Sequence, residues 1–168
     1  MIEPPRIEKA KCEACGWRGD NATGRGRCVQ CGRLLFTDVE ALGDPDTVVA
    51  RVASGLRRWR LPIGDEIRLH HALDRVLRQI LPAEEISPEH ALSEASRIDY
   101  YLPRVQVGIE VKVKGSPSEV ARQLDRYADE PGIGQLVLIT GRVRLAAIGQ
   151  AWRRPVPLTV IALVEGNL

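Results

Sequence analysis

Two groups of residues in this 168-residue chain combine type and spacing in ways that do chemistry. The first is four cysteines, Cys12-x2-Cys15 and Cys28-x2-Cys31, separated by twelve residues. Each Cys-x2-Cys turn presents two thiolates to one ion, and four thiolates complete a tetrahedral Zn2+ site. Gly16 and Gly32 follow the second cysteine of each pair, where backbone amides must approach the sulfurs. Four sulfurs leave no open coordination position, so the expected Zn2+ is structural. Metal binding would supply the folding free energy of a segment too short for a core of its own. A redox dithiol or an iron centre answers to the same spacing.

The second group is Asp99, followed after ten residues by Glu110-x-Lys112. From Val105 to Val113 the chain alternates strictly: Val105, Val107, Ile109, Val111 and Val113 point one way, and Gln106, Gly108, Glu110 and Lys112 the other. Alternation alone describes a half-buried strand with a wetted polar face. A turn at Pro103-Arg104 would set Leu102 opposite Val105 and Asp99 opposite Gly108. Glu110 would then be the diagonal neighbour of Asp99, roughly 7–8 Å away, with the bare Gly108 leaving room for an ion. Two carboxylates so close repel unless a proton or metal intervenes, and hard oxygen ligands favour Mg2+ or Mn2+. Lys112, on the same face, is placed to orient a water or stabilise developing charge. Downstream, Gln123 and Tyr127 sit at i and i+4 on a stripe with Val120 and Leu124, so they face the sheet. They read equally as satisfied core residues.

The Asp99, Glu110-x-Lys112 pattern resembles the motif of PD-(D/E)xK nucleases, and Gln123-x3-Tyr127 resembles the RecB-like branch of that superfamily. Ile98 stands where the family name places a proline. The cysteine module, outside this likeness, resembles a zinc ribbon. The nuclease resemblance implies a restriction-endonuclease-like core of α/β (α+β) class, with a mixed β-sheet flanked by helices. It implies one or two Mg2+ (or Mn2+) ions on Asp99, Glu110 and the backbone carbonyl of Val111. Lys112 would position the attacking water, Gln123 would orient Lys112 or that water, and Tyr127 would touch a phosphate. The family often adds a Glu from the first core helix. Glu66 matches best, on one face with Leu69, His70 and Leu73, and Glu94 is its rival. Glu66 also reads as a first-turn acid favoured by the helix dipole. His70 would assist Glu66 or serve as a packed or solvent-edge histidine; His71 and His90 carry no signal. Arg97, Lys114, Arg122 and Arg126 would line a nucleic-acid groove or act as ordinary surface charge. The implied reaction is phosphodiester hydrolysis of DNA.

The elements that must position these groups are legible in outline. Asp44-Pro45 opens a helix over 44–60, with Val48, Val49, Val52, Leu56 and Trp59 at helical spacing. Leu61-Pro62-Ile63-Gly64 breaks it, and a second helix runs over 65–80. Residues 81–90 read as a loop, and a strand-rich block follows over 90–113. Ser116-Pro117-Ser118-Glu119 is a capping box opening a helix to about Asp129, which Pro131-Gly132 stops. Residues 135–140 and 157–164 read as strands, with a helical or irregular stretch around Trp152 between them. Strand 105–113, helix 117–129 and strand 135–140 form an expected βαβ unit with a right-handed crossover.

The expected domains are a zinc ribbon over 1–37, a linker helix over 38–62 and a nuclease core over 63–168. Charge is uneven: residues 1–37 carry +3 and the rest −1, a mild bias compatible with nucleic acid. The start, Met1 to Lys11, is charged and contains proline, unlike a signal peptide, and no apolar run is long enough to span a bilayer. The expected location is cytoplasmic with no membrane partner. The expected partner is DNA, single-stranded, branched or at ends, with a homodimer or a separate motor chain left open. Two other functions fit the same residues: a non-catalytic nucleic-acid-binding adaptor on a degenerate nuclease fold, and an RNA-directed nuclease.

Overall fold

The computed structural model describes residues 10–11, 18–19, 44–82 and 84–163. Two compact units divide between Leu42 and Gly43. In the first, β1 (Ala10–Lys11) pairs antiparallel with β2 (Arg18–Gly19). Cys12, Cys15, Cys28 and Cys31, and with them the expected Zn2+ site, lie outside the described residues.

The second unit opens with α1 (Pro45–Leu56), whose first amides are capped by the Asp44 carboxylate through Thr47 N at 2.9 Å. The helix stops at Leu56, so Trp59, expected on its apolar stripe, lies beyond it and is 44% exposed. Within the segment expected to act as a linker, Val48, Val49, Val52 and Leu56 are all buried in the core of this unit. Asp65 caps α2 (Glu66–Ile80) through Arg68 N. Its Leu69, Leu73 and Leu77 are wholly buried, each worth roughly 1.5–3 kcal/mol in apolar transfer.

Five strands then form one mixed sheet in the order β3-β4-β5-β6-β7. They are β3 (Ser87–Ala91), β4 (Arg97–Leu102), β5 (Val107–Lys112), β6 (Gln135–Thr140) and β7 (Leu158–Ala162). The β3–β4 and β4–β5 pairs are antiparallel, and β5, β6 and β7 run parallel, connected through α3 (Pro117–Ala128) and α4 (Val143–Ala151). The Ser116–Glu119 capping box forms in both directions at the head of α3. Side chains of α1 and α2 pack with Val107, Ile109 and Val111 on one face of the sheet. Those of α3 and α4 pack with Ile98, Leu136 and Leu138 on the other. The sheet is therefore covered on both faces, and β5 has no wetted face over Val107–Val111.

Three sequence expectations need correction. Part of the expected 81–90 loop is strand β3, which tolerates Pro88 because it is an edge strand. The β4–β5 turn is longer than two residues, since Leu102 pairs with Val107 and Gln106 takes a left-handed φ of 53°. Tyr101, not Asp99, therefore faces Gly108. Finally, Gly108 makes no room for an ion. A Cβ there would lie 2.6 Å from Ile98 Cδ1 and 2.9 Å from Ile133 Cδ1, so its missing side chain makes space for core packing.

The two edges of the sheet differ. On β3, Pro88 removes a donor, and Glu89 holds a left-handed φ of 48° that a side chain adopts only at a cost. On β7, Leu-Thr-Val-Ile-Ala carries neither charge nor proline.

Candidate active site

Between β4 and β5 the antiparallel ladder stops at the Tyr100–Ile109 pair, while β5 continues to Lys112. The strands part where Asp99 and Glu110 would have been the next pair. In place of a ladder bond, the amide of Val111 donates to Asp99 Oδ2 at 2.7 Å. The sequence register put the two carboxylates on a diagonal; the longer turn brings them level at the mouth of this opening.

Glu110 is 1% exposed. Lys112 Nζ reaches its Oε1 at 2.6 Å, and Gln123 Nε2 donates to the same oxygen at 2.8 Å. Its other oxygen, Oε2, is buried with no hydrogen-bond partner among the described residues. Gln123 Nε2 also donates to the Tyr127 hydroxyl at 2.6 Å, and that hydroxyl donates to the carbonyl of Arg97. Gln123 thus holds Glu110 itself, and Tyr127 is a buried anchor whose hydroxyl is spent inside the protein. The i, i+4 spacing on α3 brings both to β5, as the stripe with Val120 and Leu124 required.

Electrostatics follow from this burial. Desolvation first, then the Asp99 charge, pushes the Glu110 carboxyl up to about 7. Desolvation also raises Asp99, against the pull of the Val111 amide and the positive side of His70 and Lys112. Burial alone would lower Lys112, but the Glu110 charge, its hydrogen bond and Asp99 more than offset that and hold the ammonium above its ordinary value. Tyr127 is raised by burial and then by Glu110, which keeps its phenol protonated as a donor.

On the far side of Asp99 lies a cleft lined by Glu66, Ile67, His70, His71, Glu89 and Asp99. His70, Glu89 and Asp99 each bring a ligand atom within 4.8 Å of the others. Glu66, at the first position of α2, shares this cleft and adds to the field that raises Lys112. Glu94 is exposed in the turn after β3, outside the residues lining the cleft. His70, read as a partner of Glu66 or a packed histidine, stands with Asp99 and stacks on Tyr100, whose hydroxyl donates to the His70 carbonyl. Glu89 gave no signal in the sequence. Its parity in β3 was hidden because Pro88 made the segment read as a loop.

Of the basic residues expected near a groove, Arg97 is tied to the Glu89 carbonyl and Arg126 to the Arg122 carbonyl. Lys114 and Arg122 are exposed. No family model matches the chain, and no curated protein or solved structure does. No helix among the described residues is long and apolar enough to cross a membrane.

Proposed function

We propose that this chain is a metal-dependent nuclease of the PD-(D/E)xK type that hydrolyses DNA phosphodiester bonds with Mg2+ or Mn2+. The observation that carries this reading is the convergence of Asp99, Glu110 and Lys112 at the β4–β5 opening, with one carboxylate oxygen buried and unpartnered. An orphaned buried acceptor costs about 1–3 kcal/mol, a cost that a cation between two carboxylates removes.

Asp99 and Glu110 would hold the ion. The carbonyl of Val111 shares a strand edge with the amide that donates to Asp99, so it would serve as a further ligand. His70, Glu89 and Glu66 extend the oxygen and nitrogen donors along the adjoining cleft. A divalent cation bound there supplies a water of lowered pKa and positive charge for the scissile phosphate. Lys112 stays protonated beside Glu110, so it donates a hydrogen bond to the attacking water or a phosphate oxygen rather than taking a proton. Gln123 and Tyr127 are positioning residues that fix the Glu110 carboxylate through the chain ending on Arg97 O.

The test is cleavage of labelled linear duplex, circular single-stranded and branched DNA with Mg2+, Mn2+ or EDTA, comparing wild type with Lys112→Ala. Metal-dependent cleavage lost in the variant supports the reading. DNA binding with no cleavage on any substrate moves the chain to the adaptor reading, and cleavage confined to RNA replaces the substrate.

A further inference from the structure

Strands β5 and β6 run parallel, and Lys112 pairs with Thr140 at their carboxyl ends. The chain beyond each strand is tied to the other. Thr140 is wholly buried; its hydroxyl donates to the Lys112 carbonyl at 2.7 Å and accepts from the Arg142 amide at 3.0 Å. Arg142 Nε then donates to the Val113 carbonyl at 2.8 Å, and Arg144 Nη2 to the Gly115 carbonyl at 3.1 Å. Two guanidinium groups are therefore pinned to the loop that leaves Lys112, one and three residues beyond it.

Each guanidinium has five N–H donors and spends one of them here. Arg68, Arg78, Arg104 and Arg154 all meet carboxylates, whereas Arg142 and Arg144, like Arg97, Arg126 and Arg153, meet none among the described residues; what sets Arg142 and Arg144 apart is that the carbonyls holding them belong to the loop that leaves Lys112. Glu119, the first acid after this loop, is turned onto the amide and hydroxyl of Ser116. Lys114, between the two carbonyls that hold the arginines, is exposed and adds a third positive charge. Val143, between the two arginines, is 87% exposed, so nothing described in this unit covers the tip. Cations fixed by backbone acceptors lose less rotamer freedom on binding than free surface arginines, and the fork geometry of arginine suits phosphate.

We propose that Arg142 and Arg144 form a sequence-independent anchor for the sugar-phosphate backbone of the nucleic-acid strand that runs through the Lys112 site. This rests on the nuclease reading above and places that strand at the carboxyl ends of β5 and β6. Contacts of this kind dominate affinity and release one counterion for each phosphate neutralised.

The test is binding of the full chain to two fluorescein-labelled DNA duplexes of unrelated sequence, with Ca2+ replacing Mg2+, across a salt titration. Arg142→Gln with Arg144→Gln should lower the slope of log K against log salt by roughly one for each lost phosphate contact, equally on both sequences. Arg144→Lys should restore most of its share. Arg153→Gln, at the other end of α4, should leave the slope as it is. Arg144 is exposed and, among the described residues, held only by Gly115 O, so Arg144→Gln alone carries the test if the double variant fails to fold. A slope and affinity unchanged within twofold, or an equal loss in Arg153→Gln, overturns the anchor. Wild-type cleavage alongside an unchanged slope removes the anchor and leaves the nuclease reading standing. A wild type that neither binds nor cleaves removes both.

Discussion

The Asp99 carboxylate accepts a hydrogen bond from the amide of Val111, so a side chain completes a ladder that the two backbones leave open. Asp99 thus serves strand pairing with one oxygen and ion binding through its charge, and the two roles separate by mutation. Asp99→Asn keeps an oxygen for the Val111 amide, so its unfolding free energy should stay within about 1 kcal/mol of wild type. Loss of charge should still cut cleavage by about a hundredfold or more. Asp99→Ala strands the amide as well and should lose about 1–3 kcal/mol more. Urea denaturation beside a cleavage assay checks all three; equal stability of the Asn and Ala variants would remove the ladder role.

The raised Glu110 carboxyl makes metal-free stability depend on pH. Its folded-state value of about 7 lies above the ordinary 4.5, so the folded state holds the proton longer than the unfolded chain. The contribution is complete below about 4.5, is lost as pH climbs toward 7, and levels off above. Asp99, also raised, acts in the same direction. Thermal melts in EDTA should show stability falling between pH 5 and 7.5 by an amount on the order of 2 kcal/mol. Mg2+ should recover much of the loss at pH 7.5 and little at pH 5, because proton and metal compete for the same oxygens. Glu110→Gln should flatten the curve, and an unchanged fall in that variant would assign it elsewhere.

Tyr127→Phe removes the donor to Arg97 O and an acceptor of Gln123 while keeping the ring in the core. We expect a loss of about 1–3 kcal/mol in stability. Turnover should fall with little change in KM, since the hydroxyl positions Glu110 and does not reach substrate. A change in KM alone would indicate that Tyr127 contacts the nucleic acid after all.

Gly108→Ala tests the packing at the centre of β5. The added methyl meets Ile98, Ile133 and Leu136, the last at 3.2 Å, and all three must shift. Overpacking of this kind costs about 1–3 kcal/mol. Metal affinity, read by Mn2+ titration under conditions where the variant is folded, should stay near wild type. A large loss of affinity with unchanged stability would return Gly108 to the ion site.

The juxtaposition of Glu110 with Lys112 and of Gln123 with Tyr127 was legible in the sequence because strand parity and helical spacing are local properties. Helix caps at Asp44 and Ser116 were legible for the same reason. The β4–β5 register was not, since it turns on a left-handed Gln106 where glycine or asparagine is the usual signal. Strand β3 was masked by Pro88 and by the backbone of Glu89, and with it the proximity of Glu89 to Asp99. His70 sits one turn from Glu66 by spacing alone, yet its approach to Asp99 depends on how α2 packs on the sheet. Long-range packing of this sort has no sequence period to betray it.

The unequal edges of the sheet limit how such molecules can aggregate. Growth of a continuous sheet from chain to chain requires two usable edges on each copy, and β3 is blocked by Pro88 and the reversed backbone at Glu89. Among the described residues, strand-to-strand association through this sheet has only β7 to start from, and pairing of two such edges leaves no third. Extended fibres are denied a template, and the same residue that brings a carboxylate to the Asp99 cleft also acts as a terminator of polymerisation.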